Sequence, residues 1–284
     1  MIRLIGKIIG VYLSVLNVFS SKLAGKHAFF IFCYPFKVKL KPKQLAFYDT
    51  AQKMDFNFEG KNLAMYKWGS GTKTILCVHG WSSNTYRWKK YIETLLDNDY
   101  TVYAFDAPGH GNSEGTLLNV PIYARALEAV IAKIGKLDYL LAHSIGSFTS
   151  MYLFHNKPHL SPSKMIVMSS PGSAEEFVNF FEKLLTPSKK LMKSMEAYFE
   201  EYVGLPVAHF NINTFASIQT ANALIIHDEL DKETPVSNAI ELHKVWKDSE
   251  LILTKGFGHK MRDISVVENV VEFFGVGVKV KMGV

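Results

Sequence analysis

Apolar residues fall in short runs along most of the chain, and each run ends in a turn rich in glycine or polar residues. Residues 73–78, 100–105, 137–142, 163–168, 222–226 and 251–254 have the length and apolar character of buried strands. Between them lie stretches with helical spacing. Trp88, Tyr91, Ile92, Leu95 and Leu96 make one, and residues 121–134, 235–246 and 266–274 make others. Strands alternating with helices in this way predict an α/β architecture with a mostly parallel sheet covered on both faces. The runs 54–58 and 63–68, separated by Glu59-Gly60-Lys61-Asn62, predict a hairpin and an antiparallel start to that sheet.

Two regions depart from the rhythm. Over residues 172–218, Phe177, Phe180, Phe181, Leu184 and Leu185 keep helical spacing, as do Leu191, Met195, Tyr198, Phe199 and Tyr202. Aromatic- and methionine-rich helices inserted between strands suit a cap over a pocket, although ordinary core helices would show the same stripe. At the other end, residues 8–19 are apolar except for Gly10, Ser14 and Asn17, and follow Arg3 and Lys7. Arg3, Lys7, Gly10, Ser14, Asn17 and Ser21 form one narrow helical stripe; Ile5, Ile8, Ile9, Tyr12, Leu16, Phe19 and Leu23 lie opposite. Such a helix fits a membrane interface, and it fits packing on the main domain equally well. The start also has the basic and apolar parts of a signal peptide, but no small-x-small cleavage site follows and Lys22 interrupts. The run is too short and polar-striped for a full span, which takes about 20 mostly apolar residues.

Residues 28–36 are strongly aromatic and predict helix up to Pro35, residues 37–43 form a basic connector, and residues 43–53 predict a short helix. The resulting organisation is an N-terminal helical extension over 1–53, a core over 54–171 and 219–274, and a helical cap over 172–218. The tail 275–284 alternates apolar residues with Lys or Gly and carries no functional reading.

Composition narrows the class. At 284 residues, 48% hydrophobic and 20% charged, the chain can bury a large core, and disorder is excluded as its main character. The formal charge of +6 is modest, its densest cluster is residues 37–43, and no nucleic-acid motif accompanies it. No nucleic-acid partner is expected, whereas a basic face toward an anionic membrane fits through residues 1–23. Cys33 and Cys77 make no disulfide framework, and Cys77 lies in a central strand run. A reducing, cytoplasmic location follows, with membrane association as its variant.

The chemistry centres on residues 139–147, where an apolar run enters Ala142-His143-Ser144-Ile145-Gly146 and continues as a helix. A serine on a tight strand-to-helix turn needs small neighbours two residues to either side. This segment resembles the nucleophile elbow of the α/β-hydrolase superfamily, with Ala142 in place of the usual first glycine. The superfamily's chain order of nucleophile, acid and histidine is matched by Ser144, Asp231 and His259, each after a strand run. His79-Gly80-Trp81 and the turn 106–113 follow two other strands as the superfamily pattern requires, so the resemblance extends over about residues 54–274. It implies an α/β-hydrolase fold with Ser144 as nucleophile, His259 as base and Asp231 as its orienting acid. The backbone N–H groups of Trp81 and Ile145 would form the oxyanion hole, with His79, Gly80 and His143 in support.

Asp228 is the rival acid, three residues from Asp231, which stands at the usual distance before Pro235. His143 is expected to turn away from Ser144, and His110 to hold a loop. His155 and His159 are separated by Pro158, and no metal or cofactor motif is present. The reading is a serine hydrolase of small-molecule carboxylic esters, lipid-derived ones or thioesters included. Its alternatives are a ligand-binding protein on the same fold, or a cofactor-free triad enzyme of lyase or peroxidase type.

Overall fold

The runs that end at Val78, Phe105, His143, Met168, Asp228 and Thr254 are six strands running the same way through one sheet. The computed structural model describes residues 2–275, so the tail 276–284 lies outside the described residues. The strands are β1 (Gln52–Lys53), β2 (Phe56–Phe58), β3 (Lys61–Leu63), β4 (Met65–Trp68), β5 (Lys73–Val78), β6 (Tyr100–Phe105), β7 (Tyr139–His143), β8 (Lys164–Met168), β9 (Asn222–Asp228) and β10 (Ser249–Thr254). The helices are α1 (Ile2–Phe19), α2 (Ser21–Phe32), α3 (Pro42–Tyr48), α4 (Lys89–Leu96), α5 (Val120–Ile134), α6 (Ile145–Asn156), α7 (Ala174–Leu185), α8 (Lys189–Val203), α9 (Ile212–Ala216), α10 (Val236–Val245) and α11 (Ile264–Phe274).

Eight strands form the main sheet in the order β1-β4-β6-β5-β7-β8-β9-β10. The six from β5 onward are parallel, while β1 and β4 add an antiparallel edge. Because both faces are covered, β6 and β7 are buried at every position. Alternate residues serve opposite layers. Cys77, Ala104, Leu141, Ile166 and Ile226 join one core with Trp88 and Tyr91 near the start of α4 and with Val267 and Phe274 of α11. Phe105 points the other way, onto Tyr123 of α5.

The N-terminal edge differs in detail from the hairpin read off the sequence. Glu59 and Gly60 both take positive φ, at 47° and 76°, which closes a two-residue turn and pairs β2 with β3 alone. The run 63–68 is therefore shared: Leu63 ends that hairpin and β4 enters the main sheet. The helix expected over 43–53 stops at Tyr48, and Gln52–Lys53 forms the edge strand instead.

The chain divides into two compact units. One holds the residues up to Tyr34 with Gly172–Ile212, and the other holds Pro35–Pro171 with the described residues from Asn213 onward. In the first, α1 and α2 pack with α7 and α8, so the N-terminal helices and the insertion after β8 share one body. Gly25 seats α2 against the backbone of Ser194 in α8, where a Cβ would collide. Among the described residues no helix is long and apolar enough to cross a membrane.

Candidate functional site

Sheet order brings the site residues together. β5 has β6 on one side and β7 on the other, so the direction of winding reverses there, and a crevice forms at the carboxyl ends of strands flanking such a point. Val78 pairs with Ala142, so the loop from His79 leaves the sheet beside His143 and Ser144.

Ser144 lies between β7 and α6 with φ 56° and ψ −130°, a conformation costing a non-glycine residue roughly 1–3 kcal/mol. Neighbouring backbone holds it there. The Ser144 N–H donates to the Met168 carbonyl at 2.9 Å. A Cβ on Gly146 would come within 2.5 Å of the His79 carbonyl oxygen, and one on Gly80 within 2.9 Å of the Ser144 Cβ. The small residue after the serine is thus required by the packing of α6 on the end of β5. Ala142 is fully buried where the usual pattern has glycine, and the strand accommodates its methyl.

His259 bridges the other two. Its Nδ1–H donates to Asp231 Oδ2 at 2.8 Å, leaving Nε2 to accept from the Ser144 hydroxyl at 3.0 Å. Asp231 Oδ1 accepts from the N–H groups of Glu233 and Thr234, and Oδ2 also accepts from the Thr234 hydroxyl. Burial alone would raise this carboxyl, but the hydrogen bond and charge of His259, with the two N–H donors, more than reverse it and hold it at about 2.

Asp228 has different work. Its oxygens accept from Leu230 N–H, the Thr254 hydroxyl and Phe257 N–H, tying the acid-bearing turn to the segment that carries His259. That segment takes positive φ at Gly256, Gly258 and Met261, and three buried side chains grip consecutive carbonyls along it. His143 Nε2 donates to His259 O at 2.7 Å, Arg87 Nη2 to Lys260 O at 3.0 Å and the Tyr91 hydroxyl to Met261 O at 2.6 Å. Arg87 also lies over the Trp88 ring, and burial lowers its guanidinium to about 9. Arg87 and Tyr91 carry no pattern that would flag them, because the carbonyls they hold are main-chain atoms remote in sequence.

The loop after β5 is equally constrained. His79 Nδ1–H donates to the Gly80 carbonyl, its Nε2 accepts from Ala107 N–H, and Tyr123 donates to its own carbonyl. His110 Nε2 accepts from Ser82 N–H, which fixes Trp81 between two held residues. Ile145 is the first residue of α6, so its N–H is one of the four a helix leaves without an internal acceptor. His155 and His159 stand on either side of the α6 terminus, and no group of three or more metal-ligating side chains occurs among the described residues.

These buried imidazoles set an acid limit. Burial lowers His79 and His143 well below 6.5 and His110 to about 4. The unfolded chain takes up protons below about 6.5 that the folded chain refuses, so stability present above that pH is lost as pH falls. Each such group contributes a slope of about 1.4 kcal/mol per pH unit. Asp106, raised by burial, works in the opposite sense but is a single group. Urea unfolding is expected to give a clearly lower midpoint at pH 5.5 than at pH 7.5, and equal midpoints would contradict neutral buried histidines.

A family model described as alpha/beta hydrolase fold matches residues 73–206. The chain is 32% identical over 106 residues to the uncharacterized hydrolase YugF of Bacillus subtilis (strain 168), covering 36% of this chain and 38% of that one. It is 27% identical over 108 residues to the pimeloyl-[acyl-carrier protein] methyl ester esterase of Wigglesworthia glossinidia brevipalpis, covering 38% and 40%. The matches thus span about two fifths of the length of these two relatives. Among solved structures, Est1E from Butyrivibrio proteoclasticus with ferulic acid bound superposes with a TM-score of 0.61 at 18% identity, covering 78% of this chain and 97% of that one. The sheet order, the elbow and the family match agree, and the chain has the α/β-hydrolase fold.

Proposed function

We propose that the protein is a serine hydrolase that cleaves carboxylic esters through an acyl-enzyme on Ser144. The observation that carries this reading is His259 spanning Ser144 Oγ and Asp231 Oδ2 at 3.0 and 2.8 Å. A serine hydroxyl attacks a carbonyl at neutral pH only when a base takes its proton, and His259 Nε2 is within reach to do so. As the Oγ–carbon bond forms, the proton passes to His259 and the carbonyl oxygen becomes an oxyanion. The N–H groups of Ile145 and Trp81 receive that charge, each donor lowering the barrier by roughly 3–4 kcal/mol in sites of this type. The imidazolium is stabilised by Asp231, which its hydrogen bonds keep ionised. His259 then returns the proton to the departing alkoxide as the carbon–oxygen bond breaks. Water repeats the sequence on the acyl-enzyme and frees the acid.

The esterase and hydrolase names of the relatives support acyl transfer from an ester. Thioesters meet the same chemistry. Reaction with a fluorophosphonate probe tests the reading directly. The wild-type protein is expected to become labelled in a heat-sensitive manner and Ser144→Ala to stay unlabelled. Equal labelling of both would remove Ser144 from the mechanism, and a folded wild type that never labels would leave a ligand-binding role in its place.

A further inference from the structure

The first helix presents its apolar side outward. Its inner side is a seam of small residues: a Cβ on Gly6 would come within 2.9 Å of the Leu184 carbonyl oxygen, and one on Gly10 would collide with the Leu185 carbonyl. Leu13 continues that seam and is fully buried. On the opposite side, Ile8, Val11, Tyr12, Val15, Val18 and Phe19 are all exposed, Val18 and Phe19 at 82%. These residues recur at three- and four-residue steps, so they form one continuous strip over about three turns. Phe180 of α7, in the same unit, adds another side chain at 68% exposure. Water-exposed apolar strips of this extent mark interaction surfaces, because each apolar side chain left in water forgoes the gain of burial.

Charge identifies the partner. Residues 1–34, which carry α1 and α2 within that unit, hold four Lys or Arg and no Asp or Glu. A second copy of the same segment would meet this charge with repulsion. An anionic lipid surface meets it with attraction, and accepts the apolar strip among its acyl chains at the same time. Among the described residues no helix can span a bilayer, so the helix would lie in the interface plane. We propose that α1 is an interfacial anchor that docks the protein on anionic membranes through Ile8, Val11, Val15, Val18 and Phe19. This surface is independent of the Ser144 chemistry.

Sedimentation of the full chain with phosphatidylcholine vesicles, with and without about 30% phosphatidylglycerol, tests it at physiological salt. The expected result is binding to the anionic vesicles at least tenfold tighter than to the neutral ones. The double variant Val15→Glu with Phe19→Glu should lose at least tenfold in that binding while keeping the wild-type melting temperature. A second variant, Val11→Ser with Val18→Ser, removes apolar area without adding charge and should also weaken it severalfold. Ser144→Ala protein should bind as the wild type does, which separates this outcome from the fate of the hydrolase reading. Absence of vesicle binding by folded protein would overturn the proposal. So would unchanged binding of both α1 variants, or a solution dimer that the Val15→Glu, Phe19→Glu variant dissociates.

Discussion

Replacing His259 by alanine is expected to lower kcat for a water-soluble ester by about 10^4- to 10^6-fold, and adding Ser144→Ala to that variant is expected to lower it no further. The non-additivity is the informative part. Ser144 Oγ and His259 Nε2 are joined by one hydrogen bond of 3.0 Å, and in the proposed mechanism they act in one proton transfer, so the loss of either would remove the same step. The slow hydrolysis that survives would come from the backbone donors at Ile145 and Trp81, which neither substitution touches. Steady-state and burst kinetics on the two single variants and the double variant measure this, with melting temperatures confirming that each is folded. If the two losses multiplied, the residues would be acting in separate steps and the acyl-enzyme reading would fall. His259→Ala keeps the three grips on the histidine segment, because His143, Arg87 and Tyr91 all hold main-chain carbonyls that alanine also supplies.

Much of this arrangement was legible in the chain because it is written in local patterns. Buried strands of a two-sided sheet read as unbroken apolar runs, so β5 to β9 were located to within about two residues at most ends. The elbow was legible because the close approach of α6 to β5 demands a small residue at Gly146, and that demand leaves a mark in sequence. Asp231 and His259 were singled out by the resemblance to the α/β-hydrolase chain order, together with their positions after strand runs. What could not be read is what depends on contacts between remote segments. Nothing about Arg87 or Tyr91 marks them as clamps on residues 260 and 261, some 170 positions away, since a main-chain acceptor has no residue type. In sequence Gly10 of the α1 seam falls within the polar stripe, because a pattern of apolar and polar positions treats glycine as neither packed nor exposed. The structure uses Gly6 and Gly10 as the contact face, so the apolar strip stays on the outside.

The two acids near the end of β9 give a second large and sharply divided expectation. Asp231→Asn is expected to lower kcat by about 10^4-fold as its main effect, because a carboxamide can present its NH2 to His259 and favour the tautomer that cannot accept from Ser144. Asp228→Asn is expected to do the reverse. Asp228 accepts from Leu230 N–H, the Thr254 hydroxyl and Phe257 N–H, and does not touch His259. An asparagine keeps one acceptor oxygen and turns the other into a donor facing donors, which costs about 1–3 kcal/mol. Urea unfolding should register that loss, while kcat should fall by no more than roughly tenfold, through looser placement of the histidine segment. Acid titration adds a check of sign. With Asp231 held at about 2, the stability it contributes is complete above its unfolded value near 4 and is lost as pH falls toward 2. Asp231→Asn should therefore flatten the stability curve between pH 4 and pH 2 relative to wild type. If instead Asp228→Asn abolished turnover and Asp231→Asn spared it, the acid would be the earlier residue, and the 2.8 Å contact of His259 with Asp231 would be structural only.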